Sequence, residues 1–118
     1  MTDFNGRPVL VTGASGGIGG ATVRHLVEAG ADVVASGRSA EEALEALAAD
    51  TGARILPFDV TSEESVRDAL DGLDIWGVVN CAGYGGEIAT PMETDIAVFD
   101  KVININARGA LLVIKYTS

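Results

Sequence analysis

A short β-branched run, Pro8-Val9-Leu10-Val11-Thr12, empties directly into a glycine cluster, Gly13-Ala14-Ser15-Gly16-Gly17-Ile18-Gly19. The run reads as a buried strand. The residues after it, Ile18 to Ala29, place Ile18, Ala21, Thr22, Leu26 and Ala29 on one helical stripe, and Gly30 supplies the stop. A strand that turns into a helix through glycines at 13, 17 and 19 admits few solutions. One glycine makes the tight turn. Another lets backbone approach a ligand with no Cβ in the way, and a third lets the helix pack closely on the strand. The free N–H groups and positive end of the helix dipole then suit a pyrophosphate above the turn. In this strand-to-helix context the spacing points to dinucleotide binding rather than to a purely structural turn.

The rest of the chain repeats the alternation. Asp32 to Ser36 is a second strand, and Ala40 to Asp50 a second helix with Ala43, Leu44, Leu47 and Ala48 at helical spacing. Arg54 to Phe58 is a third strand, whose Pro57 suits a sheet edge or strand end. Thr61-Ser62-Glu63-Glu64 reads as a Thr-x-x-Glu capping box before a third helix carrying Val66, Ala69 and Leu70. Ile75 to Asn80 is a fourth strand, followed by a glycine loop at Gly83, Gly85 and Gly86. Thr94 or Asp95 then caps a long helix through Ile96, Phe99, Val102, Ile103, Asn106, Ala110 and Val113. The order predicts one α/β domain over residues 1–118, a Rossmann-type doubly wound parallel sheet of four β-α units with right-handed crossovers.

Charge narrows the partners. With 8 Lys and Arg against 17 Asp and Glu, the net charge is −9, which disfavours nucleic acid and anionic membrane surfaces. Cys81 is the one cysteine, so no disulfide framework or Cys-rich metal site is expected, and no metal-ligand spacing is present. No signal peptide pattern or membrane-spanning run is visible, so the expected location is the cytoplasm.

The end of the second strand bears on the cofactor. A carboxylate there would accept hydrogen bonds from a ribose 2′-hydroxyl and repel a 2′-phosphate, whereas an arginine does the reverse. The residues are Ser36-Gly37-Arg38-Ser39, with no acid before Glu41. Arg38 therefore favours NADP(H) over NAD(H), against the alternative of a solvated loop arginine.

Taken together, Thr12-Gly13-x-x-x-Gly17-x-Gly19, Asp59-Val60, Asn80-Cys81-Ala82-Gly83 and Ile103-Asn104-Ile105-Asn106-Ala107-Arg108-Gly109 resemble the classical short-chain dehydrogenase/reductase family. Gly13-x-x-Gly16-x-x-Gly19 also fits that family's extended, epimerase-like branch, but Asn80-x-Ala-Gly83 counts against it. The resemblance covers essentially the whole chain and implies a strand order of 3-2-1-4. It implies cofactor contacts at Gly13, Ser15, Gly16, Gly17, Ile18 and Gly19 of the turn, and at Arg38. It also implies an adenine contact at Asp59, beside Val60, although Asp59 also reads as a helix cap. Asn80 would order neighbouring strands, while Ala82 and Gly83 leave room for the adenosine ribose. Asn106 falls on the family's active-site asparagine, which interrupts a helix and holds a relay water. Its alternative is a helix asparagine bonded to its own backbone.

The implied activity is hydride transfer between a nicotinamide and a small carbonyl or alcohol substrate. The family's serine and Tyr-x-x-x-Lys lie on a fifth strand and the helix after it. Four residues after Tyr84 stands Ile88, Tyr116 has two residues after it, and neither Lys101 nor Lys115 has a tyrosine four before. Tyr84 reads as a loop aromatic near the site. Since family members run about twice this length, the expectation is an N-terminal half, truncated before the fifth strand. Such a piece binds cofactor without turnover; the alternative is a non-catalytic dinucleotide-binding or self-associating module. The fourth strand would then be an exposed apolar edge and the last helix apolar on more than one face, so a homo-oligomer is expected through one or the other.

Overall fold

In the computed structural model, which describes residues 3–39 and 41–118, the expected sheet forms. Strands β1 (Pro8–Thr12), β2 (Asp32–Ala35), β3 (Arg54–Ile55) and β4 (Gly77–Asn80) are all parallel, in the order β3-β2-β1-β4. Helices α1 (Gly17–Glu28) and α2 (Glu42–Thr51) cover one face; α3 (Glu63–Leu70) and α5 (Gly109–Thr117) cover the other. The two-residue period of a strand sorts the core accordingly. Val11, Val33 and Ala35 join Val23, Leu44 and Leu47 on the first face, while Leu10 and Val34 join Val66, Leu70, Leu112 and Val113 on the second.

The edge position suits β3. Pro57 lacks an N–H, yet the chain keeps register around it, with Leu56 N donating to Ala35 O at 3.0 Å and Phe58 N to Gly37 O at 3.0 Å. On α2, Leu44 and Leu47 are buried and Ala43 is exposed, and Ala40 lies outside the described residues.

Two local expectations are corrected. The inward stripe of α1 is Gly19 and Val23, with Leu26 and Val27 partly covered, and Ile18 is 80% exposed. The cause is Gly19, whose bare Cα lies against the Gly13 carbonyl and sets the helix's rotation, one residue from the stripe built on Ile18. The cap of α3 is Ser62, not Thr61: its Oγ accepts from Ser65 N at 3.2 Å. Thr61 is unavailable because its N–H and hydroxyl both donate to Asp59 Oδ1, at 2.9 and 2.7 Å.

The long helix starts on Asp95, whose Oδ1 accepts from Ala97 N at 2.9 Å. It runs as α4 (Ile96–Ile103), a widened π-helical turn (Asn104–Arg108) and α5. The backbone stays helical throughout, with φ and ψ of −62° and −40° at Asn104 and −61° and −42° at Gly109. No described helix is long and apolar enough to cross a membrane.

Candidate functional site: a cleft at the carboxyl edge of the sheet

Parallel strands end on one edge, and the cleft opens there. Gly13 turns the chain out of β1 with φ +63°, a left-handed conformation that favours glycine. Its Cα presses on the loop after β4, so an added Cβ would sit 2.6 Å from the Cys81 carbonyl carbon and 2.7 Å from Ala82 N. Thr12, 1% exposed, welds the same seam. Its hydroxyl donates to Asn80 Oδ1 and accepts from Cys81 N at 3.1 Å and Ala82 N at 3.2 Å. On the other side Ala14 N donates to Ser36 O at 3.0 Å. The turn is thus pinned to β2 and β4 together. Gly16 caps α1 without a side chain, and a Cβ on Gly17 would meet nothing within 4 Å. With no capping side chain over it, the first turn of α1 leaves its leading amides free for a ligand.

A cleft of about 580 Å³ lies over this turn. Of the residues singled out from the sequence, it is lined by Gly13, Ser15, Gly16, Arg38, Asp59, Val60, Ala82 and Gly83. Gly17 lines a shallower groove between α1 and α2, and Gly19 is buried behind the turn. Asn80 serves Thr12. Asn106 does not line the cleft; its Oδ1 accepts from Tyr84 N at 2.8 Å and its Nδ2 donates to Tyr84 O at 2.9 Å. It lies within the π turn, so the helix is interrupted where the family resemblance implies. The carboxamide is bonded to a neighbouring loop and not to its own helix.

At the β2–β3 end, the Thr61 hydroxyl and amide hold the Asp59 carboxyl below the usual aspartate range; burial opposes them, and the nearby Arg38 charge adds to the lowering. Asp59 is thus an ionised acceptor that also shapes the turn before α3. Glu41 lines this end too. Val60 is held against the long helix, where Gly109 is close enough that a Cβ would lie 3.1 Å from Val60 Cβ.

Several lining residues were not legible as such. Thr12, which opens the glycine signature but carries no role of its own in the sequence, becomes the hub of the seam. Lys101, Asn104 and Ile105 line the cleft from the long helix. Their i, i+3, i+4 spacing marks one helix face, but only the docking of that helix says which face meets the cleft. Among the described residues, no cluster of His, Cys, Asp and Glu could hold a metal ion.

A family model described as short chain dehydrogenase matches residues 7–118. An uncharacterized oxidoreductase of Staphylococcus haemolyticus is 39% identical over 94% of this chain and 51% of its own length. The L-fucose dehydrogenase of Mus musculus is 36% identical over 98% of this chain and 44% of its own. The chain thus spans about half the length of the curated relatives it matches. Among solved structures, an NAD+-bound xylitol dehydrogenase superposes with a TM-score of 0.88 at 36% identity, covering 97% of this chain and 47% of that one.

Proposed function

The chain belongs to the short-chain dehydrogenase family, and from that membership we propose that these 118 residues bind NADP(H) in preference to NAD(H), on behalf of an oxidoreductase acting on a small carbonyl or alcohol substrate. A nicotinamide dinucleotide supplies the hydride chemistry when bound; the chain's own residues hold and orient it. The observation that carries the reading is the cleft itself, in which the Gly13–Gly16 turn lies between Arg38 and Asp59 on one side and Ala82 and Gly83 on the other. The first-turn amides of α1 suit the pyrophosphate, Asp59 the adenine amino group, and Arg38 a 2′-phosphate. Val60 walls the adenosine end. Asn106 is read as the family's active-site asparagine that holds a relay water, and its position in the widened turn, bonded twice to Tyr84 of the loop after β4, supports that reading.

The nucleotide test is a fluorescence titration with NADPH and NADH. Arg38→Ala is expected to weaken NADPH by about tenfold or more and NADH little, since a lost charge-assisted pair is worth at least about 1.4 kcal/mol. Equal losses for both would remove the phosphate contact from the reading.

Self-association through the β4 edge or the long helix belongs to the same proposal. Ile96, Phe99, Ile103, Leu111 and Ile114 are all exposed on that helix, and β4 has one strand neighbour. A cytoplasmic setting belongs to the same reading, on the sparse cysteine usage of the sequence.

A further inference from the structure

The chain's few cations are distributed unevenly. Arg24, Arg54, Arg67 and Lys115 form ion pairs with Asp50, Asp32, Asp68 and Glu63. Arg7 lies over the Trp76 ring and Arg108 donates to the Thr61 carbonyl. Arg38 and Lys101 remain, in no ion pair among the described residues, and both line the cleft. Arg38 has its reading as the 2′-phosphate partner; Lys101 has none.

We propose that Lys101, with Asn104 one turn along the same helix, forms a second oxyanion seat in the cleft, and that its occupant is the carboxylate of an oxyacid substrate. Three features support it. The Lys101 ammonium sits 4.4 Å from the centroid of the Tyr84 ring, an aromatic platform that holds a cation without neutralising it. The backbone that carries this ring is anchored, because Asn106 bonds both the N–H and the C=O of Tyr84. Lys101 and Asn104 both line the cleft, so a cationic residue and a carboxamide residue border one volume.

The sheet order gives the seat its place. Arg38 follows β2 and Tyr84 follows β4, on opposite sides of β1 and its glycine turn. With the 2′-phosphate at Arg38 and the adenosine ribose at Ala82 and Gly83, the nicotinamide would lie beyond Gly83, so that Tyr84 and Lys101 stand where the second reactant would meet it. This step rests on the dinucleotide reading above. In a chain of net charge −9, an unpaired cation at that point would select anionic substrates over neutral ones.

The test titrates the 118-residue chain with 3-hydroxybutyrate and with its neutral methyl ester, at constant ionic strength, with and without saturating NADPH. Amide shifts of residues 83–105 report binding. The acid is expected to bind about tenfold more tightly than the ester, since a hydrogen bond to a charged group is worth about 1.5–3 kcal/mol. Lys101→Gln should erase that difference, Lys101→Arg should keep it, and Lys115→Gln on the far side should leave it unchanged. Loss of NADPH and NADH affinity in Lys101→Gln, by the same factor as the acid, would overturn the substrate assignment and make Lys101 a cofactor-phosphate partner. Equal binding of acid and ester, with dinucleotide affinity unchanged in Lys101→Gln, would overturn it. A wild-type chain that binds the acid but no dinucleotide would defeat the cofactor reading and leave the seat standing.

Discussion

Strands β1 and β4 lie side by side in register, Val9 against Gly77, Leu10 against Val78, Val11 against Val79 and Thr12 against Asn80. As sequences they are near-equivalent apolar runs. As structure they differ sharply. Val9, Leu10, Val11 and Thr12 are each no more than 2% exposed, whereas Gly77, Val78 and Val79 are half-buried and Asn80 is exposed. The side chains do not account for this. β1 has a strand on either side and helices on both faces; β4 has one strand neighbour and is covered chiefly by α5. An apolar strand pattern states a capacity for burial, and the neighbours decide how much of it is used.

The largest expected effect comes from the glycines. Gly19→Ala drives a methyl into the Gly13 carbonyl, a backbone atom that cannot swing aside, and should destabilise the fold by about 3 kcal/mol or more. Gly77→Ala on β4 meets only the Val9 methyls, at 3.8 and 4.0 Å, and should be neutral or stabilise by about 0.5 kcal/mol. Urea denaturation of both variants checks the pair; similar losses would break the contrast. The valines come next. Val11 and Val79 face the same core cluster from adjacent strands. Val11→Ala should cost about 2 kcal/mol or more and Val79→Ala about 1 kcal/mol or less, following the apolar surface each removes from water. A Val79→Ala loss as large as that of Val11→Ala, growing with protein concentration, would mean that a second copy covers β4 in solution.

This contrast also explains what could be read in advance. Parallel pairing and the glycine turn were legible because each rests on a strong local rule: β-branched runs, helical spacing, and backbone positions only glycine can fill; the strand order came from the family resemblance instead. The rotation of α1 was not, because it is set by one contact between Gly19 and the Gly13 carbonyl, and Ile18 looks like a core residue until that contact is known. The capping box failed for a similar reason. Thr61 has the right chemistry to cap α3, but Asp59 takes it first, and the register moves to Ser62. In the site, the glycines, Arg38 and Asp59 stand near strand ends, whose place in a parallel sheet is predictable. Lys101 and Asn104 stand on a helix whose face toward the cleft depends on a packed glycine, Gly109 against Val60, far along the chain.

The smallest expected effect concerns how α5 is held over the β4 half. At its C-terminal end, Tyr116 Oη and Lys115 Nζ both donate to Glu63 Oε2 on α3, at 2.8 and 3.1 Å. The Tyr116 hydroxyl first, and then Lys115 by hydrogen bond and charge, hold the Glu63 carboxyl below the usual glutamate range. In the unfolded chain that carboxyl returns to its ordinary value, so on acidification the unfolded state takes up the proton first. The tether's contribution is therefore fully present above the ordinary glutamate range and is lost as pH falls through the lower folded value. Tyr116→Phe removes the first cause of the shift. The difference in urea midpoint between wild type and this variant should hold steady near neutrality and shrink in acid. Because the pair is solvent-exposed the difference is small, and its pH dependence is the diagnostic. A difference that stays constant down to about pH 3, below the ordinary carboxylate range, would mean that Tyr116 steadies α5 independently of the Glu63 charge.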